Sequence, residues 1–449
     1  MATTLAPTAP DAAVVAVPAT QPAPVRLMAL GLWGVVGSLL SYGIVMTVTP
    51  PPAPGGSPTP PPAAAVRAPS ECRRGAPSLP PTVSTTSRLF EPLTLRGTTF
   101  RNRVWLAPMC QYSATDGVPD DWHLVHLGTR AVGGFGLVLA EATAVVPEGR
   151  ITPQDTGLWN DAQTDAWARI VRFVQERGAR AGVQLAHAGR KASTYSPFDA
   201  QGRRGTVPAD DGGWGTVGPS ASAFPGYDAP RALTAEEIAE VPAAFAAAAE
   251  RALRAGFDVV EVHAAHGYLL HQFLSPLSNE RTDEYGGPLE NRARLLTEVV
   301  EAVRAVWPED RPLFVRVSAT DWVEGGLDVA DVAQVATVLR ELGVDLVDVS
   351  TGGNAPAEIP VGPGYQVPHA RLVREVAKVP VAAVGLLTSA EQAEGLVVDG
   401  AADAVMLGRE ALRDPMWPLR AAHRLGVPAS TAPDAPARWQ PQLDRATWR

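Results

Sequence analysis

LFVRVSATDWVEGGLDVADVAQVATVLRELGVDLVDVS (residues 313–350) reads as strand, helix and strand in succession. Leu313–Ser318 and Leu346–Ser350 are short runs rich in Val and Leu, and Val329–Leu342 between them is a helical stretch. Parallel strands need crossover connections of this kind, so the pattern predicts a βαβ unit. The unit recurs on both sides. Further strand runs are Val104–Pro108, Gly136–Ala140, Ala181–Leu185, Val259–His263, Val381–Val384 and Ala404–Leu407. Further helices include Asp161–Arg177, Ala235–Ala255, Leu289–Val306 and Ala390–Asp399. Eight strands alternating with helices over roughly 340 residues predict an α/β protein built as a parallel (β/α)8 TIM barrel. The alternative is a doubly wound open sheet, which the lack of a glycine fingerprint in the first βα unit disfavours.

The predicted barrel domain spans residues 83–449. Residues 1–82 differ sharply, holding seventeen of the 43 prolines. Stretches such as PPPAPGGSPTPPPAAA (50–65) lack the apolar content to fold and predict a disordered Ala/Pro-rich extension. Within it, residues 27–49 run 23 residues without a charge, long enough to span a bilayer. Arg26 precedes this run, and Arg67, Arg73 and Arg74 follow at a distance, an asymmetry that favours a cytoplasmic body. Three readings compete for it: a membrane anchor, a signal sequence with an overlong apolar core, and translation from an upstream start codon. The net charge of −9 argues against a nucleic-acid surface. Cys72 and Cys110 are too few for a disulfide framework and form no zinc or iron–sulfur spacing, which points to a reducing, cytoplasmic compartment.

In such barrels the chemistry gathers at the C-terminal ends of the strands. Pro108, Met109, Cys110, Gln111 and Tyr112 follow the first run, and Glu141 and Ala142 the second. Gln184 and His187 lie at the third, Arg316 and Ser318 at the fifth. Glycines follow runs six to eight (Gly352, Gly353, Gly385, Gly408), and Arg409 comes last. Glycine backbones with one fixed cation make a cradle for a phosphate. Gln184 suits the amide edge of a ring. Arg316, pointing inward, needs an anionic partner, which is either a cofactor charge or a barrel carboxylate such as Glu261.

The fourth run ends in FDVVEVHAAHGYLLHQFLSPLSNERTDEYGG (257–287). His263, His266 and Tyr268 fall within six residues at a buried strand's end. Two imidazoles and a phenol there supply donors for an oxygen atom and a proton source, whereas a lone histidine would read as an ordinary loop residue. The loop 191–232 carries little secondary-structure signal and reads as a lid, with Trp214 and Tyr227 as the aromatics that would shape access.

APMCQYS (107–113), VQLAHAGRKA (183–192), EVHAAHGYLLHQFLSPLSNERTDEYGG (261–287), LFVRVSA (313–319) and MLGREALRDP (406–415) together resemble the old yellow enzyme family. The likeness is to its bacterial branch of NADPH dehydrogenases, ene-reductases and xenobiotic reductases, and covers residues 88 to 449. The resemblance implies non-covalent FMN, reduced by NADPH or NADH and reoxidised by an enone-type substrate. It implies that Pro108, Met109, Cys110 and Ala142 lie along the flavin and that Gln184 and Arg316 hold its pyrimidine side. Gly385, Gly408 and Arg409 would take its phosphate. His263 and His266 would bind the substrate oxygen, Tyr268 would protonate carbon, and Tyr112 would add a hydroxyl. WQPQLDRA (439–446) resembles the segment through which family subunits share an arginine, here Arg445, in a dimer or tetramer, although Leu443 replaces the family's tyrosine. The other readings are a dienoyl-CoA reductase, which needs cysteine-rich domains not found here, a metal-dependent barrel hydrolase or lyase using His263 and His266, and a membrane-tethered flavoprotein sensor.

Overall fold

The computed structural model describes residues 87–448. The expectations for residues 1–82, including the apolar run 27–49, lie outside the described residues. Among those described, no helix is long and apolar enough to cross a membrane.

Eight parallel strands close into a barrel in chain order: β1 (Val104–Leu106), β2 (Leu137–Ala144), β3 (Arg180–Ala186), β4 (Val259–Ala264), β5 (Leu313–Ser318), β6 (Leu346–Ser350), β7 (Val381–Ala383) and β8 (Ala404–Leu407). The principal helices outside are α1 (Asp121–Val132), α2 (Asp161–Glu176), α3 (Ala235–Ala255), α4 (Leu289–Val306), α5 (Val329–Glu341), α6 (Val367–Ala377), α7 (Ala390–Val398) and α8 (Trp417–Arg424). The TIM barrel expected from the alternation is the fold observed.

Local chemistry sets the boundaries. β1 stops before the predicted Pro108, whose ring has no N–H for the ladder. β2 runs four residues past its predicted end, because Glu141 bulges out of register between Ala140 and Ala142 and pairing then resumes. Asp120, Asn160 and Thr234 each close a reciprocal capping box at the start of α1, α2 and α3.

The barrel's lower half is apolar. A hairpin, Leu93–Leu95 paired with Thr98–Phe100, supplies Leu95 and Phe100 to a cluster with Trp105, Leu137, Val259, Phe314 and Leu346. The Trp105 and Phe314 rings stack at 5.7 Å and 14°, and Phe100 leans on Trp105 at 4.7 Å. This floor leaves the opposite, C-terminal end as the open one. Above it the inward positions turn polar, and the ladder fixes who meets whom. Gln184 pairs in register with Glu261, and Arg316 lies between His263 on β4 and Asp348 on β6.

Phe314→Ala should cost about 3–5 kcal/mol, because the enclosed floor cannot collapse around the cavity left behind. A chemical-denaturation midpoint measured against the parent protein, with unchanged slope, checks this.

Candidate active site

The open end of the barrel carries two adjoining chambers that share Pro108, Met109, Arg316, Ile359, Tyr365 and Arg409 as walls. They therefore form one cleft. Lys191, Phe224, His266, Ser350, Gly385 and Gly408 line the first chamber. Cys110, Gln111, Tyr112, Ala142, Gln184, His263 and Tyr268 line the second. Of the predicted site residues only Arg445 is elsewhere. It lies on the exposed turn Pro441–Ala446 and borders neither chamber of its own chain.

Backbone geometry at the end of β4 creates the histidine turn. His266 and Gly267 both take left-handed conformations, at φ +59° and +74°. A Cβ on Gly267 would sit 2.3 Å from the Gly353 carbonyl oxygen, and one on Gly353 2.7 Å from the His266 Cα. The loops after β4 and β6 thus cross backbone to backbone, and only glycine fits at either place. Lys191 pins the crossing by donating to the carbonyl oxygens of His266 and Gly353, each at 2.9 Å. Its ammonium also lies over the rings of Phe224 and Tyr268, and burial, with Arg190 alongside, brings its pKa down to about 7. From below, Gly267 N–H donates to His271 Nδ1, and His271 Nε2 meets the buried Asp321 carboxylate at 3.1 Å.

The two imidazoles have defined neighbours. His263 Nδ1 accepts from the Ala265 N–H at 3.2 Å, which leaves its proton on Nε2. That Nε2 lies 3.4 Å from His266 Nδ1, while His266 Nε2 lies 2.8 Å from Ser350 Oγ. Burial, reinforced by the Arg316 charge, holds both rings well below the usual histidine range, so both are neutral near pH 7. The buried Tyr268 ring stands edge-on to His263 at 5.0 Å.

At the bottom of the cleft Gln184 Nε2 donates to Glu261 Oε1 at 2.7 Å. Arg316 does meet a barrel carboxylate, but it is Asp348, at 3.0 Å from Nε, rather than Glu261. The register explains the choice, since Asp348 is the direct lateral neighbour of Arg316. On the opposite wall Glu141, displaced by the β2 bulge, accepts from the Gln111 N–H at 2.8 Å and meets His123 at 3.3 Å. Burial, with Asp155 and Glu141 nearby, pushes the Cys110 thiol well above its ordinary pKa, so it is a neutral donor and not a thiolate. Tyr112, itself left-handed at φ +52°, hydrogen-bonds this thiol and packs against Phe198.

Several residues of the cleft and of the buried layer beneath it were not among the expected ones. Asp348 shares the inward face of β6 with Leu346 and Ser350, so strand alternation was the available signal. Lys191 and Phe224 lie in segments where spacing carries no such information. In the long loop, Phe198 and Phe224 reach the cleft, whereas Trp214 bonds the Glu148 carbonyl and Tyr227 packs on Phe224. Among the glycines after the strands, Gly353 serves the loop crossing, while Gly385 and Gly408 line the cleft. Among the described residues no group of three or more His, Cys, Asp or Glu stands together to hold a metal ion.

Residues 88–427 match the model of the NADH:flavin oxidoreductase / NADH oxidase family. The chain belongs to that family. It is 46% identical over 355 residues to an NADPH dehydrogenase of Geobacillus sp. (strain WCH70), covering 78% of this chain and 98% of the relative. It resembles the structure of an old yellow enzyme homologue from Zymomonas mobilis at TM-score 0.62 and 29% identity, over 80% of this chain and 99% of that one. A 2-naphthoyl-CoA reductase gives TM-score 0.69 at 28% identity over 75% of this chain, which spans about half, 52%, of that longer protein. The expected place among the old yellow enzymes holds, and with it an NAD(P)H-dependent flavin oxidoreductase that uses FMN.

The site suits that cofactor. The cleft has an amide, Gln184, and a guanidinium, Arg316, on its floor and a second guanidinium, Arg409, on the wall common to both chambers. A Cβ on Gly408 would meet nothing nearer than Met109 Sδ at 3.7 Å, so close backbone approach there is open.

The buried neutral histidines also carry a pH signature. Burial lowers His187 to about 4, below the unfolded value of about 6.5. Between those values the unfolded chain binds the extra proton, so this group's contribution to stability falls as pH falls through the window. His187→Gln should flatten the loss of stability between pH 6.5 and 4 by up to about 1.4 kcal/mol per pH unit, read from denaturation curves at a series of pH values.

Proposed function

We propose that the chain reduces the activated C=C bond of α,β-unsaturated carbonyl compounds and related xenobiotics. The observation that carries this reading is the meeting of His263 Nε2 and His266 Nδ1, 3.4 Å apart, in the cleft that also holds Gln184 and Arg316. In this reading the Ser350 hydroxyl, 2.8 Å from His266 Nε2, donates to that nitrogen when substrate is bound, which places the second imidazole proton on Nδ1. Two N–H groups then converge on one acceptor, as a carbonyl oxygen requires.

Bound FMN supplies the hydride, which it takes from NADPH or NADH. The protein's part is to hold, polarise and protonate. Gln184 and Arg316 hold the cofactor's pyrimidine side, Pro108, Met109 and Ala142 flank its ring, and Gly385, Gly408 and Arg409 take its phosphate. His263 and His266 hold the substrate oxygen. Hydride arrival at the β-carbon builds negative charge on that oxygen, so their hydrogen bonds strengthen on the way to the transition state. Being neutral and preorganised, they do this without moving or losing a proton. Tyr268, against His263 in the same chamber, delivers its hydroxyl proton to the α-carbon. Cys110 and Tyr112 complete the substrate wall with a thiol and a hydroxyl donor. The reading extends to a homo-oligomer in which Arg445, exposed on its own chain, reaches a neighbour's cleft.

Two measurements bear on this. His263→Ala with His266→Ala should lower enone reduction by a factor of about 10² or more while sparing flavin reduction by NADPH, followed separately by anaerobic stopped-flow absorbance. Equal loss in both half-reactions would remove the histidines as substrate donors. Tyr268→Phe should slow the oxidative half-reaction about 10²–10⁴-fold with weakly activated enones, with the flavin-reduction rate unchanged. An oxidative rate equal to that of the parent protein would remove Tyr268 as the acid.

A further inference from the structure

Beneath the histidines the barrel encloses two carboxyl groups and one guanidinium. Glu261 on β4 and Asp348 on β6 are wholly buried, and Arg316 on β5 stands between their strands. Arg316 is bound to Asp348 at 3.0 Å, and Glu261 is held from the β3 side by Gln184 at 2.7 Å. Glu261 Oε2 and Asp348 Oδ1 receive no hydrogen bond from any described residue. The charged groups that act on Glu261 are Asp348 and Arg316, with the neutral His263 two residues further along its own strand.

With both carboxyls ionised this dry interior would hold two negative charges against one positive, without donors to solvate the excess. Burial disfavours that state strongly. One proton on the pair removes it, and Glu261, bound to a neutral amide, is the member that can carry it. The direction agrees: burial, then the Asp348 charge, raises Glu261 to about 8, and burial raises Asp348 as well.

We propose that Glu261 is a positioning residue that is protonated whenever the flavin is reduced, taking up a proton with reduction at alkaline pH, where the oxidised state leaves it ionised, so that the charge of Arg316 is never divided among three anions. The proposal rests on the cofactor placement argued above, with Arg316 and Gln184 at the pyrimidine side. Reduction by NAD(P)H passes one hydride, so the nicotinamide is oxidised and the bound cofactor gains two electrons, one proton and one negative charge. If Glu261 is ionised at that moment, its carboxylate takes one proton from solvent, forming an O–H bond at Oε2 and breaking no bond of the protein. Oε1 goes on accepting from Gln184 Nε2 in either state. The amide therefore keeps its oxygen available to the cofactor throughout the cycle, and the acid pair buffers the charge below it.

The test is the midpoint potential of the FMN-loaded full chain as a function of pH. Below the titration of Glu261, reduction takes up one proton per two electrons. Above it a second proton is bound, and the slope of potential against pH doubles. Glu261→Gln keeps an acceptor for Gln184 but cannot titrate, so its slope stays single throughout. Reduced-minus-oxidised infrared spectra of the parent protein on the alkaline side should gain a carboxylic acid carbonyl band. That measurement needs no variant and stands if the substitution prevents folding. A single slope in the parent protein, a doubled slope kept by the variant, or no acid band overturns the proposal. A chain that takes up no FMN overturns the functional reading as well, whereas FMN binding with a single slope overturns this proposal alone.

Discussion

Every inward position of a closed parallel barrel lies where water is scarce, and here the upper half of that interior is given to Gln184, Glu261, Arg316 and Asp348. Much else follows from keeping those groups satisfied. The aromatic floor of Phe100, Trp105 and Phe314 is what makes the space dry, since it seals one end. The ladder then decides the pairs, because lateral neighbours in register are the ones whose inward side chains meet. Gln184 finds Glu261 and Arg316 finds Asp348 without any loop having to place them. A site built from strand residues is held to the rigidity of the sheet.

The loops above solve a different problem, which is to set two imidazoles and a phenol at one point. The strand ends at Ala264, and the chain must turn sharply enough to return His266 beside His263. It does so with two consecutive left-handed residues, one of them not glycine. The His266 conformation is imposed by the crossing with Gly353, by Lys191 bound to both carbonyls, and by His271 beneath the Gly267 amide. Strain at a site survives only where surroundings over-determine it, and here three separate groups do so.

These two halves of the site were unequally legible in the sequence. Strand positions follow a period of two, so a buried run that ends in His263 or carries Arg316 announces its inward residues, and the predicted barrel strands end within a residue or two of the observed ones apart from β2. The bulge at Glu141 broke that rule, because an extra residue in one strand leaves no trace in local composition. Asp348 was readable by the same alternation, yet a carboxylate in a strand reads equally well as solvent-facing until closure of the barrel is known. Loop residues obey no period. Lys191 lies in a quoted motif, but its place over Tyr268 depends on a 42-residue excursion, 191–232, whose path only the three-dimensional structure gives. Aromatic content alone pointed to Trp214 and Tyr227, where packing selected Phe198 and Phe224.

Charge explains why histidine suits this position better than a permanently charged donor. An arginine or lysine at the end of β4 would face Arg316, its lateral neighbour at position 263, across a dry gap, and two like charges there are costly. A neutral imidazole donates one proton at a chosen nitrogen and adds no net charge. Its pKa is depressed by burial and by Arg316, the same two causes that would penalise a cation. Burial and then the Arg316 charge thus keep both imidazoles neutral across the range in which an ordinary histidine would titrate. Arg316, ion-paired to Asp348 at 3.0 Å, thereby ties the polar floor of the cleft to the charge state of the histidines above it.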